Sequence, residues 1–294
     1  MTYHFKPSES SIQHGLRRIA VDQFDRALRD ADDHDGDIHV RVHDMRKRGK
    51  QLRGLIRLVR PSFPAYAEEN AAIRDAARLL SDFRDKTSAL DTCDHLADAI
   101  GPGLDRHALE PLREALLDRR HRAEHDPDLT DRLADFRREI AACRDRALGW
   151  ELEEDSFDVL RAGFEDYYRR GRDAMKHARE TGHAEDMHEW RKRVKDHGHH
   201  ARLLRRAWPR KTKPHIKAAG DLGDLLGTHH NYAVFQVLLQ DPSLPGQSRH
   251  ALAGPAAEQM EMLEKKALGL GAHLYAEKPK ALSKRWAAWW RLRQ

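Results

Sequence analysis

The sequence predicts an all-α protein, on three observations. Apolar residues recur at helical spacing in segment after segment, and no run of alternating β-branched residues marks a strand. A third observation is a basic segment written twice: "HDMRKRGK" at 43–50 and "HEWRKRVK" at 188–195. The histidine, two arginines and two lysines recur at identical offsets, 145 residues apart.

The elements follow in order. "SESSIQHGLRRIAVDQFDRAL" opens on Ser and Glu, then places Ile12, Leu16, Ile19 and Phe24 at helical spacing. "DADDHDGD" at 30–37 breaks this helix, and a second covers 38–60 until "PSFP" at 61–64. Further helical patterns span 65–99, 105–124 and 128–148, separated by "GPG" at 101–103 and "HDPD" at 125–128. The repeat extends beyond the basic segment. "SIQHGLRRI" at 11–19 lies over "VLRAGFEDY" at 159–167 at offset 148, and Pro61 lies over Pro209 at the same offset. "LLSDFRD" at 79–85 lies over "LLGTHHN" at 225–231 at offset 146. Four ordered matches imply a duplicated unit of half the chain, giving similar helical halves at 1–149 and 150–294 about a pseudo-twofold axis.

Composition limits the function. Of 294 residues, 39% are hydrophobic and 34% charged, so a core requires amphipathic helices. Apolar runs such as "YAVFQVLL" at 232–239 are too short to span a membrane, and "MTYHFKPSESS" has no apolar signal segment. Cys93 and Cys143 stand apart and suggest neither a disulfide framework nor a cysteine metal site. A cytoplasmic setting, without membrane association, is the expectation. Net charge is +5, but residues 43–60 carry +6 and residues 188–206 carry +5, which leaves −6 elsewhere. Charge concentrated in this way attracts a polyanion.

The faces follow from 100° per residue. His43, Arg46, Lys47, Lys50, Arg53 and Arg57 fall within an arc of about 120°, opposite Met45, Leu52, Leu55, Ile56 and Val59. Arg48 lies about 140° from His43, at the edge of the apolar side. In the second copy His188, Arg191, Lys192, Lys195, His199 and Arg202 share one face, and Trp190, Val194, Ala201, Leu204 and Trp208 the other. Like charges at i, i+3 and i+4 repel, and a face selected for stability would intersperse glutamates. A bound anion supplies the missing countercharge. Arginine offers a planar fork for paired oxygens, lysine a mobile charge, and histidine a donor that phosphate can help to protonate. On that basis binding should strengthen from about pH 8 to pH 6.

These residues carry a resemblance. "HDMRKRGKQLRGLIRL" and "HEWRKRVKDHGHHARLL", followed by "LLSDFRD" and "LGDLLGTHHNYAVF", resemble the CHAD family, the conserved-histidine α-helical domain, over roughly residues 8–275. The resemblance implies two four-helix bundle halves related by pseudo-twofold symmetry, binding inorganic polyphosphate through basic residues that line a central groove or channel. Carried over by position, His43, Arg46, Lys47, Lys50, Arg53 and Arg57 form one wall. His188, Arg191, Lys192, Lys195, His199 and Arg202 form the other. Gly198 stands where Arg53 stands in the first half, so the second wall is weakened there unless His199 compensates. The triphosphate-tunnel partner of many family members would need E-x-E-x-K on a strand. "ELEED" at 151–155 has Asp155 in place of the lysine.

Other candidates are weaker. "HRAEH" at 121–125 fits a zinc-peptidase pattern but runs into the helix-ending "DPD". "DADDHDGD" has Ala31 at the first ligand position of a calcium loop. Adjacent histidines, as in His199–His200 and His229–His230, point about 100° apart on a helix, so His229 and His230 fit the anion site or a helix interface better than a metal. "RWAAWW" at 285–290 is expected to pack on the bundle, with a docking surface as the alternative. The sequence therefore predicts a polyphosphate-binding protein with no catalysis, cofactor or metal, located on cytoplasmic polyphosphate granules. A nucleic-acid-binding helical module is the first rival, disfavoured because the stripes lack stacking aromatics. A metal-dependent phosphohydrolase is the second. Oligomeric state is open.

Overall fold

The computed structural model describes residues 3–101 and 106–292, residues 7 and 10 apart. Among them it contains eleven α-helices and no strand. α1 (Ile12–Asp32) begins where Ser11 Oγ accepts the His14 amide, 3.0 Å away. α2 (Ile38–Leu58) begins where Asp37 Oδ1 accepts the amides of His39 and Val40. The acidic loop thus ends in an N-cap, which satisfies donors the first helical turn cannot. α3 (Tyr66–Arg78), α4 (Ser81–Ile100), α5 (Glu110–Glu124) and α6 (Asp128–Ala147) complete the first half. α7 (Phe157–Thr181), α8 (Ala184–Leu203), α9 (Pro209–Leu238), α10 (Gly246–Leu274) and α11 (Pro279–Arg291) form the second.

The apolar stripes find each other as amphipathic helices must. One large core joins Leu16, Phe24, Met45 and Leu55 of the first half to Phe164, Trp190, Leu222 and Trp286 of the second. α2 packs on both α7 and α8, so the two basic helices are neighbours. Glycine sets the close approach. A Cβ at Gly163 of α7 would stand 1.9 Å from the Leu58 carbonyl oxygen, and one at Gly54 of α2 would stand 2.9 Å from His199 Cβ. The crossing is pinned by His200 Nε2, which lies 2.9 Å from the Gly54 carbonyl oxygen.

The expected helix at 65–99 is two helices, broken at Leu79–Leu80 without a glycine or proline. The apolar spacing continues through the break, so tertiary packing makes it. α3 stays with α2 and α6, whereas α4 turns away to α5 and α9. There a second core forms from Leu96, Leu112 and Leu116 with Tyr232, Phe235, Leu252 and Leu263. The expected break at 101–103 lies partly outside the described residues, and Gly101 ends α4 at φ 71°. Trp286 and Trp290 of α11 are buried against the bundle. No described helix is long and apolar enough to cross a membrane.

Candidate anion-binding site

Lys50 locates the meeting of the stripes. The residue is exposed, yet the neighbouring protein still desolvates its amine. That desolvation pushes its pKa down to about 8, helped by Arg46 and Arg84 of the first half and Arg191 and Lys195 of the second. One ammonium group thus feels cations from both copies of the basic segment.

The surroundings of the two stripes differ. On the first, Arg46 Nη1 donates to Ser81 Oγ at 2.7 Å and to the Ala77 carbonyl at 3.2 Å, and Arg53 Nε donates to Asn70 Oδ1 at 3.0 Å. On the second, α9 supplies glycines. A Cβ at Gly227 would lie 3.5 Å from Arg191 Nε, one at Gly223 would lie 3.0 Å from Lys195 Cε, and one at Gly220 would lie 3.7 Å from Arg202 Nη2. At offset 146, Ser81 and Ala77 correspond to Gly227 and Gly223. The same basic side chains thus lie over a polar floor in one half and a bare helix in the other. Arg191 Nε is buried without a hydrogen-bond partner. A guanidinium in that state is one that an anion would satisfy.

Ion pairs divide the stripe further. Arg46, Lys50, Arg53, Arg191 and Arg202 have no ion pair among the described residues. Lys47 pairs with Asp44, Lys192 with Glu189 and Lys195 with Asp224, all at exposed positions where such pairs are weak. Arg57 is different. Its Nη1 lies 2.6 Å from Oδ1 of buried Asp196 on α8, so it crosslinks the two basic helices. Burial opposes its charge, and Asp196 more than offsets this, holding the guanidinium cationic. Arg48 and Arg193, off the face, pair with Asp30 and with Glu189 and Asp196 respectively.

The histidines are neutral donors. Burial and then Arg84 lower the pKa of His43, and burial with Lys192 and Arg191 lowers that of His188. His199 is pushed down to about 3 by burial, Arg202, His200 and Lys195. It packs between Gly54 and the Tyr3 ring, 5.9 Å away, and does not replace the missing charge opposite Arg53. In the chain without ligand, burial among cations thus disfavours the charged form of these histidines, against which a bound phosphate would have to act.

Two neighbouring residues lay outside the predicted stripes. Arg84 acts on His43, Arg46 and Lys50, and His230 stacks on His188 with ring centroids 3.8 Å apart. They occupy equivalent positions, because offset 146 places Arg84 over His230. The repeated "LLSDFRD" and "LLGTHHN" held that signal. His229, beside His230, is buried. "HRAEH" does not assemble a metal site: Glu124 engages His39 at 2.6 Å and Arg120 at 3.3 Å. Among the described residues no three His, Cys, Asp or Glu side chains are placed to hold a metal.

Comparison with known proteins agrees with this architecture. The structure resembles the CHAD domain from the plant Ricinus communis, with TM-score 0.60, 17% identity and 90% of each chain covered. It also resembles PptA from Streptomyces chartreusis, with TM-score 0.57, 13% identity, 89% of this chain covered and 96% of that one. At these identities the likeness establishes the fold. No curated protein matches the sequence. The CHAD domain family model matches residues 18–240, well over half of the chain, and the chain therefore belongs to the CHAD domain family.

Proposed function

We propose that this protein binds inorganic polyphosphate in the groove between α2 and α8, without turning it over, and associates with polyphosphate granules through that contact. The observation that carries the proposal is the setting of Lys50, with Arg46 and Arg84 on one side and Arg191 and Lys195 on the other. A chain with a negative charge on every unit answers such a run of cations, because each phosphate can accept forked hydrogen bonds from Arg46 or Arg191 while Lys50 and Lys195 follow as mobile charges. His43 and His188, held away from their charged form by burial, add directional donors. The unpartnered Arg191 Nε supports the same assignment.

Nucleic acid offers phosphates too, but spaced by sugars and carrying bases that need stacking surfaces, and neither stripe carries an aromatic on its basic face. Competition decides between them. Long-chain polyphosphate should displace labelled polyphosphate far more effectively than DNA or RNA at equal phosphate concentration, with affinity falling as salt rises. Equal competition by nucleic acid would replace the proposal with the nucleic-acid module. Incubation with polyphosphate, ATP or tripolyphosphate, with and without divalent metal, should release no phosphate above background. Turnover would make the protein a phosphohydrolase.

A further inference from the structure

The groove does not close at the stripes. Arg191, Lys195 and Arg202 lie in turn along the α9 glycines Gly227, Gly223 and Gly220, so α9 is the floor they cover. Continuing along that helix toward Pro209, the next residues on the same face are Lys217, Lys213 and Arg210. At 100° per residue, Arg210, Lys213, Lys217, Gly220 and Gly227 share an arc of about 100° with one acid, Asp224, which is paired with Lys195, and 17 residues of rise make this face about 26 Å long. Lys217 pairs with Asp221, whereas Arg210 and Lys213 are exposed and have no ion pair among the described residues. Residues 207–217 hold four lysines and arginines and no acid.

The path runs one way. Beyond Gly227, α9 presents Asn231 and then Val234, which is 53% exposed and carries no charge. The first half has no counterpart either. Residues 59–69, equivalent to 207–217 at the offset of 148 that sets Pro61 over Pro209, hold Glu68 and Glu69 and the single cation Arg60. A polyanion leaving the groove over α3 meets exposed Glu68, Glu69 being buried against Arg146, whereas one leaving over α9 meets cations.

We propose that α9 carries an extension of the polyphosphate site, in which Arg210 and Lys213 hold the part of a long chain that emerges from the groove. The extension rests on the polyphosphate assignment and adds a chain-length preference to it. Short chains fill the groove alone, whereas long chains gain contacts that short ones cannot reach.

The test is Arg210→Glu with Lys213→Glu, assayed against tripolyphosphate and long-chain polyphosphate. An acid at position 210 lies in the first turn of α9 and one at position 213 lies four residues before Lys217, both favourable placements, so α9 should remain folded, and circular dichroism checks this. Lys265→Glu with Lys266→Glu on α10, both exposed, makes the same change in net charge outside the arc. The extension predicts a loss of about tenfold or more in long-chain affinity, a salt dependence less steep than the parent's, and unchanged tripolyphosphate affinity. The α10 variant should match the parent on both ligands. Long-chain affinity that does not fall below that of the α10 variant overturns the extension while leaving the groove intact. Equal losses on both ligands also overturn it. A parent protein that binds neither ligand overturns the polyphosphate assignment itself.

Discussion

Arg57 and Arg202 occupy the same position in the two copies of the basic helix, yet the fold uses them differently. Arg57 is tied at 2.6 Å to buried Asp196 and holds α2 against α8. Arg202 is exposed, lies beside Gly220 and has no ion pair. The contrast recurs along the stripes. Arg46 and Arg53 are bonded to Ser81 and Asn70, whereas Arg191 Nε is buried without a partner. The repeated segment carries the charges twice, and partner side chains fix the arginines of the basic face in the first copy, whereas in the second the pairs fall on Lys192 and Lys195, with Glu189 and Asp224.

The largest effect that sharpens this comparison is on stability. Arg57→Ala leaves buried Asp196 with only the 3.9 Å contact to Arg193, which should cost about 3 kcal/mol in urea unfolding. Adding Asp196→Asn should recover much of it. Arg202→Ala should cost about 0.5 kcal/mol or less, while weakening polyphosphate binding. Equal stability losses at the two arginines would erase the distinction between the copies.

Next comes binding. Lys50→Glu with Lys195→Glu puts two carboxylates where cations of both halves converge, and should weaken polyphosphate binding by about a hundredfold. Arg48 and Arg193 are poor controls for this experiment. Reversing Arg48 would set a carboxylate against Asp30 and Asp44, and reversing Arg193 would do so against Glu189 and Asp196. Lys265→Glu with Lys266→Glu serves instead, and should bind within about twofold of the parent. Similar losses in both variants would mean that net charge alone governs binding.

The pH dependence is a smaller effect. With a pKa of about 8 in the free protein, Lys50 is mostly charged at pH 7 and mostly neutral at pH 9. A bound polyanion favours the charged amine and raises its pKa, so binding takes up a proton. Affinity should be flat below about pH 7 and fall by at most about tenfold per pH unit above pH 8. Lys50→Arg should remove this decline. A change between pH 6 and 7 that disappears on mutating His188 would instead return the histidines to a charged role.

The smallest effect is at the glycines. Gly198 has only Ala219 Cβ near a would-be Cβ, at 3.8 Å, so Gly198→Ala should stabilise α8 by up to about 1 kcal/mol. Gly54→Ala at the crossing should destabilise, because the new methyl meets His199 Cβ. Thermal unfolding of both variants checks the signs.

Much of this was legible in the sequence, for reasons that particular residues make plain. The helix at 38–60 and the segregation of Arg46, Lys50 and Arg53 from Met45, Leu52 and Ile56 follow from periodicity, which folding cannot change. Where helices meet does not follow. The break at Leu79–Leu80 carries no glycine or proline, and the turn of α4 toward α9 is decided by contacts distant in sequence. The placement of His199 on the cationic arc did not reveal its desolvation, which with Arg202, His200 and Lys195 lowers its pKa to about 3. Net-charge counting hid the cations at 207–217 inside an acidic remainder, because a sum carries no positions.

The central claim is that both basic helices build a single site. Calorimetric titration with tripolyphosphate tests it most directly, comparing the parent with Lys50→Glu and Lys195→Glu singly. A shared groove predicts one ligand per chain, with either substitution weakening that one event. Two ligands per chain, with each substitution removing one and sparing the other, would contradict it.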